Sequence, residues 1–505
     1  MRSRLLGMCA IVGLLAPIMQ PFAACAQEAP ARPSTLTAAL VDAYENNATL
    51  LEQRANLRAT DENVPAALSG WRPTVVAQGS VGRASGVSEQ SFNQTNIFTG
   101  QTNLTKSKIQ QSRDQATGQI TLTQQIFNGG KTVASVREAK NQVFAARAQL
   151  LSSEQTVFLN VVSAYVGVIT DTQLLALDTN NEGVLRQQLD ATNSQFKVGE
   201  ITMTSVAQAQ ASLAQAIEQR EVAQGNLQIA RETFRQLVGA YPADHLVPPQ
   251  PLALPVASKE AAAQQAAFNN PNIIAALFTD AADKDAVDVA FSVLAPQIDV
   301  QASAFTESNP SGPHTAANGS QVLANLTVPL FQGGSEYAGI RQARDKEQDG
   351  RAAIIDARRT AVQQATQAWE ALIASQAAIR STKVAVKSNA IALDGTEREE
   401  IVGTRTTLDV LNAQQALLSS QVQQIQNISN MVTESYTVAA AIGRLTASDL
   451  ALPVARYDDL KYYNAVKNAW VGLGGAAFQD VGIKPDGSPL GTPTDGISSG
   501  GMMQK

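Results

Sequence analysis
The chain has 505 residues, 38 basic and 44 acidic, for a net charge of −6, and so acidic a surface is a poor ligand for nucleic acid. Charged residues make up only 16% of it, which is low for long helices that face water on all sides. Two cysteines, Cys9 and Cys25, and two histidines, His245 and His314, are too scattered for a metal set, and no nucleophile elbow, phosphate loop or metal-binding helix motif is present. Neither an enzyme nor a cofactor nor a metal is expected.

The chain opens with Arg2 and Arg4, an apolar run from Leu5 to Ile18, and Ala24-Cys25-Ala26. That is the pattern of a secretory signal peptide over residues 1–26, cut before Gln27. Its removal takes both cysteines and brings the net charge to −8. A lipidated Cys25 is the alternative, although Phe22 replaces the usual aliphatic residue of that motif. Beyond the leader no uninterrupted apolar run reaches 18 residues, so no membrane-spanning helix is expected.

Thr35 to Asn47 and Lys259 to Asn270 read as amphipathic helices that end at Asn-Asn. Helices continue to about Ser69 and Leu294. After Pro73 and Pro296 the period becomes two. Val75, Ala77, Gly79 and Val81 alternate with Thr74, Gln78 and Ser80. Ile120, Leu122 and Ile126 alternate with Gln119, Thr121, Thr123 and Gln125. Ile298, Val300, Ala302 and Ala304 alternate with Gln297, Asp299, Gln301 and Ser303. Val322, Ala324, Leu326, Val328 and Leu330 alternate with Gln321, Asn325 and Thr327. Each strand is about ten residues long, enough to cross a bilayer at a tilt. One face is apolar and the other is amide and hydroxyl, as suits lipid outside and water inside. A sheet packed on a helical layer also alternates, but this chain lacks aromatic residues to cover such a sheet. Four strands cannot close a barrel, and open edges in hydrocarbon cost several kcal/mol per unpaired group, so the chain must oligomerise.

Arg83 to Ala116 and Thr306 to Gly319 are polar and read as water-facing loops. Each second strand ends in Phe-x-Gly-Gly: Phe127, Gly129 and Gly130, then Phe331, Gly333 and Gly334. These glycines permit the sharp change from strand to helix. From Lys131 to Phe196 the helical pattern is nearly unbroken, roughly 100 Å at the helical rise. Val136, Val143, Leu150 and Val157 recur every seven residues, with Ala139, Ala146 and Ser153 three further on. Leu411, Leu418, Ile425 and Val432 do the same. Such seams pack helix on helix in coiled-coil fashion.

Two short breaks interrupt the long helices: Phe196 to Gln210 and Glu400 to Gln414. Gly199 and Gly403 sit where a helix end needs a left-handed residue, and Thr/Ser-rich turns follow, suited to capping the next helix. These breaks are 204 residues apart, as are the Phe-x-Gly-Gly elements, whereas the Asn-Asn and Pro73/Pro296 pairs are 223 apart. The chain is thus an internal duplication with a 19-residue insertion between Pro73 and Phe127. Its parts are a leader, 1–26; a first repeat, 27–239, with strands near 72–83 and 117–127 and a helical hairpin over 131–238; and a Pro-rich linker, 240–258. A second repeat, 259–455, follows, with strands near 296–306 and 320–331 and a hairpin over 335–443; then come a segment over 456–472 and a tail, 473–505, expected to be disordered.

The segment Val402 to Leu411, VGTRTTLDVL, resembles the second tip of the TolC family of outer-membrane channel proteins, and the duplicated Phe-x-Gly-Gly and Asn-Asn elements are similar too. Tyr457 to Trp470 looks like the C-terminal signature of the branch that includes type I secretion channels. The resemblance covers about Leu36 to Leu473. It implies an α+β membrane protein, a homotrimer in which four strands per chain build a twelve-stranded barrel continuous with a long periplasmic helical barrel, and an equatorial place for 456–472. It implies a passive exit duct that docks with a periplasmic adaptor and an inner-membrane transporter of RND or ABC type, for drug efflux or type I protein secretion. Residue by residue, Arg405 matches a gate-linking arginine, Thr204 its threonine partner, and Asp409 the first aspartate of an acidic ring. Glu400, Ser205 and Asn412 depart from the family's linking tyrosine, its aspartate partner and the second acidic position, so one gate link should be missing and the ring thinner. Val198, Gly199, Val402, Gly403 and Thr404 form the tip turns where an adaptor would dock. Helix capping and ordinary solvation are the plainer reading of Asp409 and Arg405. A periplasmic adaptor or coiled-coil spacer, and a general porin, are the rival readings of the whole.

Overall fold
The computed structural model describes residues 32–310 and 314–472; the leader over 1–26 and the tail over 473–505 lie outside the described residues. Three short helices open the described chain: α1 (Leu36–Asn46), α2 (Ala48–Asp61) and α3 (Asn63–Leu68). Strands β1 (Thr74–Thr95) and β2 (Thr102–Asn128) follow, then the long α4 (Lys131–Lys197) and α5 (Met203–Val238). The second copy repeats the plan with α6 (Lys259–Asn269), α7 (Pro271–Phe291), β3 (Gln297–Ser308), β4 (Ala316–Thr327), α8 (Ser335–Ile401) and α9 (Thr407–Ala441). A last helix, α10 (Asp459–Val466), closes the described chain. Both α4 and α8 hold 67 residues, about 100 Å each.

The Asn-Asn pairs are explained by capping at both ends. Asn47 ends α1 and begins α2: its Oδ1 accepts from Thr49 and Leu50 N–H at 3.0 and 3.3 Å, and its Nδ2 donates to Leu237 O at 2.8 Å. Asn270 does the same between α6 and α7, accepting from Asn272 N–H at 2.9 Å and donating to Ala441 O at 3.2 Å. One side chain thus satisfies the first donors of one helix and a last carbonyl of another. Each repeat fastens its short helices to the end of its long hairpin in this way.

The main core forms at the level of α1. Leu40, Ala43 and Tyr44 of α1 pack with Phe158, Val161, Val162 and Tyr165 of α4, Phe234 of α5 and Tyr436 of α9. Tyr165 Oη lies 2.8 Å from Ser34 O and 2.9 Å from Val247 O, and burial pushes its pKa up to about 12. α4 contains an 18-residue stretch apolar enough by length and composition to cross a membrane. Packing accounts for much of that composition, because Val157, Phe158, Val161, Val162, Tyr165 and Val166 are buried in this core. Around α4 the helices form one layer: α2 and α7 flank it toward the sheet, α5 and α9 toward the tips, and α8 lies beyond α7 and α9.

The strands form one antiparallel sheet in the order β1-β2-β3-β4. Register aligns the faces across it. Val75, Leu122, Ala302 and Val322 share one row, and Ala77, Ile120 and Ala304 the next. Thr74, Thr123 and Gln301, then Gln78 and Gln119, occupy the other face, where Asn325 Nδ2 donates to Asp299 Oδ2 at 3.0 Å. The apolar face is uncovered: Val75 is 65% exposed and Val322 71%.

Strand extents differ from the sequence reading. The first hairpin does not loop out at Arg83 but stays paired from Thr74↔Thr123 to Thr95↔Thr102. Beyond Ala116, β2 has no partner but β1, so the 19-residue insertion extends a free two-stranded ribbon. Its few apolar residues, Val87, Phe92, Leu104 and Ile109, are split between the two faces and leave no apolar period to detect, yet cross-strand bonds hold it, including Lys108–Glu89 at 2.6 Å and Arg83–Asp114 at 3.6 Å. The second hairpin also pairs further, to Ser308↔Ala316. At its other end β4 stops at Thr327 rather than 331, because Pro329 has no N–H to give a ladder.

Candidate functional site
Sheet and tunnel meet at the two Phe-x-Gly-Gly junctions. Gly129 and Gly130 have φ of +67° and +84°, and Gly333 and Gly334 +74° and +86°. At Gly129 space is also decisive, since a Cβ would lie 2.4 Å from Ala295 Cβ and 2.7 Å from Ser292 O. Phe127 and Phe331 stay exposed beside them. Each long helix starts directly after its pair of glycines.

At the far ends the two tips close by the same device. Glu200 N–H donates to Gln195 O at 3.0 Å and Thr404 N–H to Glu399 O at 2.9 Å, while Gly199 and Gly403 N–H reach Phe196 O and Glu400 O. This double bond across a left-handed glycine, with φ of +82° and +78°, is a Schellman closure. Val198 and Val402, just before the glycines, are equally exposed at 72%.

Past the glycines the tips diverge. At the second, Thr406 and Asp409 form a capping box: Asp409 Oδ2 accepts from Thr406 N–H and Oγ1–H, both at 2.9 Å, and Thr406 Oγ1 accepts from Asp409 N–H at 3.3 Å. The backbone and side-chain bonds from Thr406 hold the Asp409 carboxyl below its ordinary value of 3.8, with Arg405 helping. At the first tip Ser205 stands in place of the aspartate, and Thr202 makes no side-chain cap. Thr404 Oγ1 donates to Glu399 O at 3.0 Å.

Arg405 does not reach Thr204 within one chain. Its Nε bonds Glu399 Oε2 at 3.0 Å across its own turn, and Thr204 is exposed on the neighbouring hairpin. The first tip has Gln195 and Ile201 at the matching positions, so the ion pair belongs to the second tip alone. Glu400 is half-buried, with Oε1 unpaired among the described residues. Asn412 lines a polar groove of about 300 Å³ with Asn181, Gln208, Ser212 and Gln414; Gln414 Nε2 donates to Asn181 Oδ1 at 3.2 Å. Tip Gly, Thr and Asp residues are legible from the sequence. Glu399 is missed, although an acid six residues before Arg405 across a glycine turn is a usable signal.

Above the tips, buried Glu182 of α4 pairs with Arg220 of α5 at 2.6 Å and with Arg186, bracing the hairpin. Higher still, Asp171, Asp178 and Glu218 line a groove of about 430 Å³ between α4, α5 and α9. Burial raises the pKa of Asp171 and of Asp178.

A strand sheet with an apolar outer face, carried through glycine hinges onto helices three times a bilayer's thickness, defines an outer-membrane channel with a helical tunnel on the periplasmic side. The comparisons with known proteins agree. The family described as Outer membrane efflux protein matches residues 39–240 and 262–444, and the chain belongs to that family. It is 35% identical over 444 residues to the outer membrane efflux protein BepC of Brucella suis, covering 87% of this chain and 92% of that one. It is 26% identical over 355 residues to the outer membrane protein TolC of Escherichia coli, covering 66% and 70%. In fold it is similar to the CmeC outer membrane channel of Campylobacter jejuni, with a TM-score of 0.70 over 86% of this chain and 89% of that one at 16% identity. The chain is an outer-membrane transport channel of the efflux and type I secretion class, with its helical tunnel in the periplasm.

Proposed function
We propose that the chain works as a homotrimer, a passive exit duct whose entrance lies at the helical tips. The observation that carries this reading is the open sheet. Four strands leave the outer edges of β1 and β4 unpaired, and unpaired edges do not persist in hydrocarbon. Three copies give twelve strands and continue below as a tunnel. A general porin has no use for helices of about 100 Å, and a periplasmic spacer has none for a lipid-facing sheet. The tips, with Val198 and Val402 exposed and Gly199, Gly403 and Thr404 shaping the turns, offer the surface on which a periplasmic adaptor docks. An inner-membrane transporter of RND or ABC type completes the pathway for drugs or proteins.

Arg405 restrains the closed entrance, and Asp409 gives it a negative field that favours cations. Ser205, Asn412 and Glu400 leave that entrance with one carboxylate per chain at the ring and without the tyrosine link. In planar bilayers the protein should give small cation-selective currents, and Arg405→Ser should raise them severalfold. Unchanged conductance in Arg405→Ser would overturn the gate assignment while leaving the barrel.

A further inference from the structure
The C-terminal segment climbs α4 toward the membrane. Asp459 pairs with Arg147 at 3.1 Å. Tyr463 packs against Val64, Ala139 and Val143, with the Arg147 guanidinium 5.2 Å from its ring centre. Ala469 O then accepts from Arg72 Nη1 at 2.5 Å. The anchor points on α4 thus run from residue 147 through 143 to 139, toward Lys131, where helix meets sheet; the whole climb is about 24 Å. It ends beside Arg72, three residues before Val75 begins the apolar face.

What stands there is uncovered. Trp470 is 67% exposed and Val471 92%, and the Arg72 guanidinium lies 5.0 Å from the Trp470 ring centre. Gln124, in the apolar face, donates Nε2 to Trp71 O at 3.0 Å, which ties the turn before Arg72 to the lower border of that face. Trp71 is itself 40% exposed. At the matching level of the second copy, Phe291, Phe331 and Tyr337 are exposed as well, so aromatic side chains collect where both strand pairs enter the bilayer. Tryptophan favours that depth because its ring is apolar and its N–H finds polar partners at the headgroups, and arginine beside it extends its charge to phosphate.

We propose that Trp470 and Val471 seat in the phospholipid leaflet on the periplasmic side of the outer membrane and pin the C-terminal segment to the bilayer edge. This rests on the outer-membrane barrel described above. Lipid is the occupant because the two side chains continue the border of the sheet's lipid-facing surface. The segment therefore links the membrane to α2 and α4 and sets the height of the tunnel below the bilayer.

Fluorescence in reconstituted vesicles tests this. The chain has three tryptophans, so Trp71→Phe with Trp369→Phe leaves Trp470 as the only emitter. Phospholipids brominated near the headgroup should quench it severalfold more than lipids brominated deep in the chains. Val75→Trp in a tryptophan-free background serves as the insertion standard and should be quenched by the deep bromines. Trp470 unquenched by either lipid, with the Val75→Trp standard quenched, overturns the proposal and leaves the barrel. A standard that is not quenched overturns both. If the double replacement fails to assemble, a polarity-sensitive label on Val471→Cys in the otherwise unchanged chain reads the same depth: emission typical of water overturns the proposal, and a blue shift toward interfacial values supports it.

Discussion
At the scale of single residues, charge in this protein divides into tip groups that face water and acids held under cover. Asp409 is of the first kind. Its carboxylate closes the α9 capping box with Thr406, so its first effect is on the helix start. Thr406→Ala should cost about 1 kcal/mol of local stability and speed amide exchange over residues 404–412, leaving 198–206 unchanged, because the first tip has no such box. Equal changes at both tips would show that the box does not act locally. Asp61 is of the second kind. It is 1% exposed, with Oδ1 unpaired among the described residues. Burial pushes its pKa from 3.8 up to about 6; Arg147 opposes that shift, while Asp459 and Glu62 add to it. Between pH 4 and 6, roughly, the folded chain keeps a proton that the unfolded chain gives up. Stability from this group therefore falls as pH rises through that window and stays at the lower level above it. Asp61→Asn should raise the melting temperature by a few degrees at pH 7.5 and leave it nearly unchanged at pH 4. The same gain at both pH values would assign it to packing instead.

At the scale of elements, the first hairpin separates what the membrane requires from what it does not. Above Ala116 the ribbon's ladder pairs only with itself, tied at its base by Asn309 Nδ2 donating to Asp114 O at 2.7 Å, and a lone two-stranded ribbon in water is marginally stable. Excising residues 86–111 and joining Ser85 to Ser112 through Asn-Gly, a two-residue hairpin turn, should leave membrane insertion, oligomer size and conductance as they were. Loss of the oligomer on a sizing column would show that the ribbon takes part in assembly. This ribbon also marks where the sequence stops being readable. Strands were visible wherever one face meets lipid, as at Ile120 and Leu122, because only burial imposes a period of two. Ribbon residues such as Ser85, Gln90 and Thr105 face water on either side and carry no period. The tips were legible for the opposite reason: a left-handed turn accepts glycine and little else, so Gly199 and Gly403 announce them. The Arg405–Glu399 pair was missed: the turn brings the two positions together, but side-chain rotamers decide whether an exposed pair forms, so the spacing across Gly403 is a hint and no more.

At the scale of the whole molecule, the single chain is an open structure. Besides the two free sheet edges, α8 carries an uncovered apolar stripe: Ile355, Ile373, Val384 and Ile391 are 54%, 44%, 64% and 64% exposed. Their separations of 18, 11 and 7 residues are close to whole numbers of helical turns, so the four lie on one side of the helix. That side spans about 54 Å. The stripe lies away from the side of α8 on which Ala365 packs with Ala266 of α6 and Ala441 of α9, and Ala368 and Leu372 pack with Val438 of α9. Isolated exposed apolar residues are ordinary, but four that recur on one side of a helix, with no helix of the same chain over them, suit a subunit interface. On the far side of the layer α5 exposes Ile229. In the proposed trimer, we infer that this side of α8 seats against the next chain's α5 side as β4 joins the next chain's β1. Val384→Glu with Ile391→Glu places two carboxylates in that seam without touching the sheet, the tips or the main core. The double variant should still fold as a chain in detergent, with helical content unchanged, and should sediment as a monomer where the parent sediments as a trimer. A double variant that sediments as a trimer would place the seam on another face of the helical layer.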